Sequence, residues 1–151
     1  MPKPLGPESN CSIARSLDLL GEKWTLLIVR EAFWGNTRFS EFREELGIAA
    51  DVLTERLAKL VDAGVMERRE YREDGARARH EYVLTATGRQ LHFVIAGLAQ
   101  WGRENRPRSY GTSPVYVDVD TGERARLAFV TDDGRRIDPA LLGVRQVRDH
   151  A

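Results

Sequence analysis

The chain has 151 residues, with 23 basic and 23 acidic side chains giving zero formal charge, and is 42% apolar and 30% charged. That length allows one full domain with an appendix, or two small ones. The balanced charge argues against a general nucleic-acid coat, but leaves room for a regulator whose basic groups gather on one face. No apolar run approaches the roughly 18 residues of a membrane helix, and Met1 to Asn10 lacks an apolar signal core, so a cytoplasmic location is expected. The single cysteine, Cys11, excludes an intrachain disulfide and a cysteine-based zinc site. His80, His92 and His150 have no metal-ligand spacing, and no phosphate loop, nucleophile elbow or zinc-protease helix motif is present. No metal, cofactor or enzymatic activity is therefore expected.

Along the chain, the proline-bearing start from Met1 to Ser9 reads as loose, and Asn10 as the cap of a helix over Ser12–Leu20. Ile13, Leu17 and Leu20 are spaced for burial there, and Gly21 stops it. Trp24 to Trp34 is dense in apolar residues and reads as a buried central helix ended by Gly35-Asn36. Two amphipathic helices follow, Phe39 to Gly47 and Ala49 to Ala63, each ended by a glycine. Val65–Tyr71 and Arg79–Thr85 then flank the polar tip Arg72-Glu73-Asp74-Gly75-Ala76-Arg77, a two-stranded ribbon. Helix, turn, helix, ribbon is the order a winged helix needs to place one helix in the major groove and a basic tip on the backbone.

Thr85-Ala86-Thr87-Gly88 precedes a long helix at about Arg89–Arg103. Its stripe of Leu91, Val94, Ile95, Leu98 and Trp101 is broad enough to touch the domain and a second copy. Residues 1–105 form the expected DNA-binding and dimerisation domain. Residues 106–151 form a β-rich extension, with a meander over 112–147. Val115, Val117 and Val119 alternate in its first strand, Arg124–Thr131 is its second, and turns lie at Thr121-Gly122-Glu123 and Asp132-Asp133-Gly134. The expected fold is α+β: a winged helix-turn-helix with flanking dimerisation helices and a C-terminal β-meander extension.

Candidate site residues follow from this layout. In the Ala49–Ala63 helix, Leu53, Leu57 and Leu60 point inward, leaving Asp51, Thr54 and Glu55 to face base edges. Arg56 and Lys59, on the flanks, suit phosphate. Arg38 and Ser40 stand at the start of the bracing helix, where guanidinium, hydroxyl and free N–H groups can meet a phosphate, or Ser40 can cap the helix. Arg77 and Arg79 on the ribbon are cationic and suit phosphate or the minor groove. Each of these surfaces is also what a solvated helix face or hairpin tip looks like. Cys11, at the first turn of a helix with Arg15 one turn on, sits where a thiolate is favoured. The plain alternative for a lone cysteine is a small buried hydrophobe.

Taken in order, Cys11-Ser12-Ile13-Ala14-Arg15, Gly21-Glu22-Lys23-Trp24-Thr25-Leu26-Leu27-Ile28, Arg38-Phe39-Ser40-Glu41-Phe42, Val52-Leu53-Thr54-Glu55-Arg56-Leu57, Gly64-Val65-Met66-Glu67-Arg68 and Tyr82-Val83-Leu84-Thr85-Ala86-Thr87-Gly88 resemble the HxlR-type transcriptional regulators, a dimeric branch of the winged helix-turn-helix proteins. The resemblance covers residues 11 to 103. It departs at Ser12, where members commonly have proline, and at Asp51, where many have lysine. It implies a homodimeric repressor on an inverted-repeat operator in double-stranded DNA, with Cys11 sensing oxidants or electrophiles or with a small-molecule effector. A winged-helix module that binds protein instead of DNA is the alternative, supported by the acidic groove face and zero net charge.

Overall fold

The computed structural model describes residues 6–111 and 114–145. Within the expected loose start, Met1–Leu5 lie outside the described residues, as do residues 112–113 and 146–147 of the expected meander. The described chain falls into two compact units divided within one helix, between Ile95 and Ala96, where the sequence placed a boundary at residue 105.

The first unit begins with a turn. Ser9 is buried and its N–H donates to the Gly6 carbonyl (3.0 Å). Helix α1 covers Ser12–Leu20 as expected, but Asn10 does not cap it. The N-cap position is Cys11, because the Ser9 hydroxyl accepts the Cys11 N–H (3.1 Å) and fixes the chain one residue later. Only Leu20 of the three expected core residues is buried; Ile13 and Leu17 are exposed. At the other end, Gly21 donates to the Leu17 carbonyl (2.8 Å), and a Cβ at Gly21 would lie 2.5 Å from that oxygen. The sharp join to the next helix therefore requires glycine.

Helix α2, Lys23–Phe33, runs through the core on Ile28 and Val29. Glu31 is buried beside them. A buried carboxylate is costly unless paired, and Arg30 and the Asn36 amide (2.8 Å) both donate to it. Helix α3, Phe39–Leu46, starts without a side-chain cap from its first residue. Instead, the Glu41 carboxylate reaches back to the Thr37 and Arg38 N–H groups, each at 2.9 Å. It ends at Gly47 in the left-handed region (φ +60°), a conformation glycine adopts without steric cost. Helix α4, Ala50–Asp62, buries Leu53, Leu57 and Leu60 against Phe42 and Ile48. That is the 3.6-residue stripe the sequence displays.

Strands β1 (Met66–Tyr71) and β2 (Arg79–Leu84) pair antiparallel from Met66↔Leu84 to Tyr71↔Arg79. The segment before α3 adds a short third edge: Arg38 bridges Glu81, and the Tyr82 N–H donates to the Thr37 carbonyl (2.7 Å). The ribbon is thereby tied to the first helix of the helix-turn-helix. Beyond it, the expected long helix is preceded by a short one that the sequence reading did not include. Ala86–Arg89 forms a short helix, α5, capped by the Thr85 hydroxyl accepting the Gly88 N–H (3.0 Å), and α6 covers His92–Asn105. No helix among the described residues is long and apolar enough to cross a membrane.

The second unit packs its extension onto the later part of α6. The Leu127 N–H donates to Gln100 Oε1 (3.1 Å), and Arg103 donates to the Pro114 carbonyl (3.1 Å). The expected turns are present. Asp118 Oδ1 accepts the Asp120 and Thr121 N–H groups, and β3 (Phe129–Val130) pairs with β4 (Arg136–Ile137) across the second turn. The strands between the turns are far shorter than expected. Val117↔Arg124 is an isolated bridge, and Val115, Val117 and Val119 remain exposed. Alternation supplies a strand's side-chain pattern, but without a facing layer to bury the valines the pairing stops after a few bonds.

Candidate nucleic-acid interface

The outer face of α4 presents Asp51, Thr54, Glu55, Ala58, Lys59 and Asp62, all exposed, as the inward leucine stripe dictates. Asp51 Oδ1 accepts the Val52 N–H (2.9 Å). The Thr54 hydroxyl donates to the Ala50 carbonyl (2.8 Å), which leaves its lone pairs and methyl group outward. Lys59 lies 3.7 Å from Glu55 across one helical turn. The face therefore offers acceptors to base edges and one flanking cation.

Arg56 departs from its expected place. Its side chain is only 12% exposed and is paired with Glu22 and with Glu55 (3.3 Å), so it is not on an open flank awaiting phosphate. Glu22 is a site residue that sequence reasoning missed. Nothing local marks it, because its partner lies on a different helix.

At the start of α3 the Arg38 backbone holds the N-cap position, which puts Ser40 inside the first turn, exposed and not the cap. The Arg38 guanidinium lies over the Tyr71 ring (4.9 Å from its centroid) and donates to Glu73 Oε1 (2.7 Å) on the ribbon tip. Tyr71 and Glu73, as partners of Arg38, are thus also missed from sequence. The two backbone N–H groups that hold Glu41 push its carboxyl below the usual carboxylate range.

The ribbon carries the basic charge. Arg69 is paired with Glu67, and Arg72 with Glu70 (3.5 Å). Arg77 and Arg79 are exposed and, among the described residues, have no ion-pair partner. The ribbon and its tip therefore present exposed cations, the residue type that suits phosphate.

Cys11 is exposed at the N-cap of α1. Arg15, expected to add positive charge to the thiol, donates instead to the Ser9 carbonyl (2.6 Å). Of the expected dimer stripe on α6, Val94, Leu98 and Trp101 are exposed, at 41%, 52% and 58%. Ile95 is not part of it: it is buried in the core with Ile28 and Val29, and Leu91 is half-buried against that cluster. Phe93, two residues before Ile95, is exposed. Among the described residues, no group of His, Cys, Asp or Glu could hold a metal ion.

Comparison with known proteins agrees with this geometry. An HTH-type transcriptional regulator of Mycobacterium tuberculosis is 48% identical over 115 residues, 76% of this chain and 71% of that protein. The transcription factor PA1607 matches in structure with a TM-score of 0.81 at 34% identity, covering 93% of this chain and 98% of that one. The redox regulator HypR in its reduced form matches with a TM-score of 0.58 at 31% identity, covering 64% of this chain and 94% of that one. The match to PA1607 thus takes in more of this chain than the match to HypR. The HxlR-like helix-turn-helix model matches residues 19–110, from the end of α1 through α6. This chain, an α+β winged-helix protein, belongs to the HxlR-like helix-turn-helix family of DNA-binding transcriptional regulators.

Proposed function

We propose that the protein is a homodimeric, sequence-specific regulator that represses transcription from an inverted-repeat operator. The observation that carries this reading is the exposed outer face of α4 together with a ribbon whose Arg77 and Arg79 have no ion-pair partner among the described residues. Thr54 and Glu55 read base edges, Arg77, Arg79 and Lys59 take phosphate, and Arg38 and Ser40 hold the backbone at the start of α3. Two copies meet through exposed apolar side chains, Ile13 and Leu17 on α1 and Phe93, Val94, Leu98 and Trp101 on α6. Exposed apolar residues in this number are what a self-association surface requires. Symmetry then sets two half-sites about one helical turn apart.

Cys11 is the signal-receiving residue in this reading. It is exposed at a helix N-terminus, where the dipole favours thiolate, and a relative of this fold is a redox regulator. A small molecule held between the dimer helices is the other source of signal.

The acids Asp51, Glu55 and Asp62 on α4 favour a second reading, a module that binds protein. The test is titration of promoter fragments flanking the gene with the protein at several salt concentrations. A DNA regulator binds selected fragments, with an affinity that falls by about 0.9 log units per phosphate contact for each log unit of salt. Absence of salt-dependent binding to any fragment favours the protein-binding module.

A further inference from the structure

Arg56 stands on the reading helix, yet its side chain turns back from the face on either side of it. Glu55 and Lys59 are each more than half exposed, whereas Arg56 is 12% exposed. Its guanidinium meets the Glu22 carboxylate and lies 3.3 Å from Glu55 Oε1, while Lys59 Nζ lies 4.0 Å from Glu22. The Arg56 Nε is buried and has no hydrogen-bond partner among the described residues. A guanidinium held this way would have to break its pairing and leave its packing to reach a phosphate.

Glu22 is the N-cap residue of α2 and follows Gly21, the one-residue end of α1. That link is stiff. Gly21 is bonded back to Leu17, and the space where its Cβ would stand is filled by the Leu17 carbonyl. Wherever the last turn of α1 goes, the Glu22 backbone goes with it.

We infer that Arg56 is a positioning residue for DNA reading: through Glu22 it fixes the reading helix α4 to the α1–α2 connector, and it does not itself bind phosphate. The inference rests on the DNA-reading proposal and adds a specificity-determining contact that lies off the groove. Arg56 is the strong member of the four-charge cluster, because its own side chain is largely buried and the loss of Glu22 would leave that charge with less compensation. The exposed Lys59–Glu55 pair contributes little. Since α1 carries Cys11 at its start, the same contact links the connector that follows that helix to α4.

The test compares wild type, Arg56→Met, Glu22→Gln and the double variant. Thermal unfolding establishes that each is folded, and Glu22→Gln, at a half-exposed site, keeps the comparison available if Arg56→Met unfolds. Two quantities are read: operator affinity as a function of salt, and amide hydrogen exchange over Ala50–Thr54 in the free protein. A positioning role predicts that each single change weakens operator binding about tenfold with the salt slope unchanged. The double variant should be no worse than either single one, and exchange in the first turn of α4 should rise in all three. A slope shallower by about one in Arg56→Met, with tighter binding in Glu22→Gln, would make Arg56 a phosphate ligand masked by Glu22 and overturn the inference. Unchanged affinity and unchanged exchange in both single variants would overturn it as well. If the wild type binds no DNA, the DNA-reading proposal fails, and the exchange measurement still decides whether Glu22 and Arg56 hold α4.

Discussion

Glu41 illustrates how a helix can start without a capping side chain at its first position. Its carboxylate satisfies two N–H groups ahead of α3, and those bonds favour the ionised form, so its pKa is lowered from the ordinary 4.5. A carboxyl with a lower pKa in the folded state than in the unfolded one stabilises fully above the unfolded value. That contribution is lost as pH falls through the folded value. Glu41→Ala should therefore cost about 1 kcal/mol at neutral pH, the usual worth of a cap, and the gap between variant and wild type should close as urea midpoints are followed below about pH 4.5. A gap that persists in acid would show that Glu41 acts through packing. Cys11 gives the second prediction at this scale. With one cysteine per chain, oxidation by diamide can link only two copies or form an adduct. Wild type should lose operator binding on treatment and Cys11→Ser should keep it; equal release from both would leave the thiol without a sensing role.

At the scale of elements, the parts legible in the sequence are those set by local pattern. The leucines of α4, the glycine ending α3 and the polar tip of the ribbon each specify their structure within a few residues, and α3, α4, β1 and β2 fall within a residue or two of expectation. Contacts between distant segments were not legible. Glu22 captures Arg56, and Glu73 with Tyr71 holds Arg38; no spacing rule joins these residues. The break between α5 and α6 has a similar cause. Gly88 lies so close to the chain that a Cβ there would stand 2.0 Å from the Val65 carbonyl oxygen, and the short helix serves that approach. Gly88→Ala should therefore destabilise by about 1–3 kcal/mol, the cost of forcing atoms into a filled site. Urea unfolding measures this, and an unchanged midpoint would mean that the approach relaxes freely.

For the whole molecule, the exposed apolar residues divide by cause. Ile13 and Leu17 were expected in the core because their spacing is that of a buried face, but among the described residues nothing covers them. Ile95 was assigned to the dimer stripe but belongs to the core, since periodicity on α6 cannot say which side each apolar residue meets. The remaining exposed residues of α6 make self-association the expected state. Leu98→Glu would place a charge in that contact without a partner. It should give monomers by light scattering, while a dimer of unchanged affinity would remove α6 from the interface.

The central claim is that α4 reads bases while the ribbon holds phosphate. Competition binding of Thr54→Ala, Glu55→Ala, Arg77→Ala and Arg79→Ala to the operator and to a scrambled duplex tests it directly. The two α4 variants should lose about 1–3 kcal/mol on the operator and little on the scrambled duplex. The two ribbon variants should weaken binding to both alike, each with a salt slope reduced by about 0.9. An equal loss on both duplexes in all four variants would contradict the claim, because α4 would then touch only the backbone.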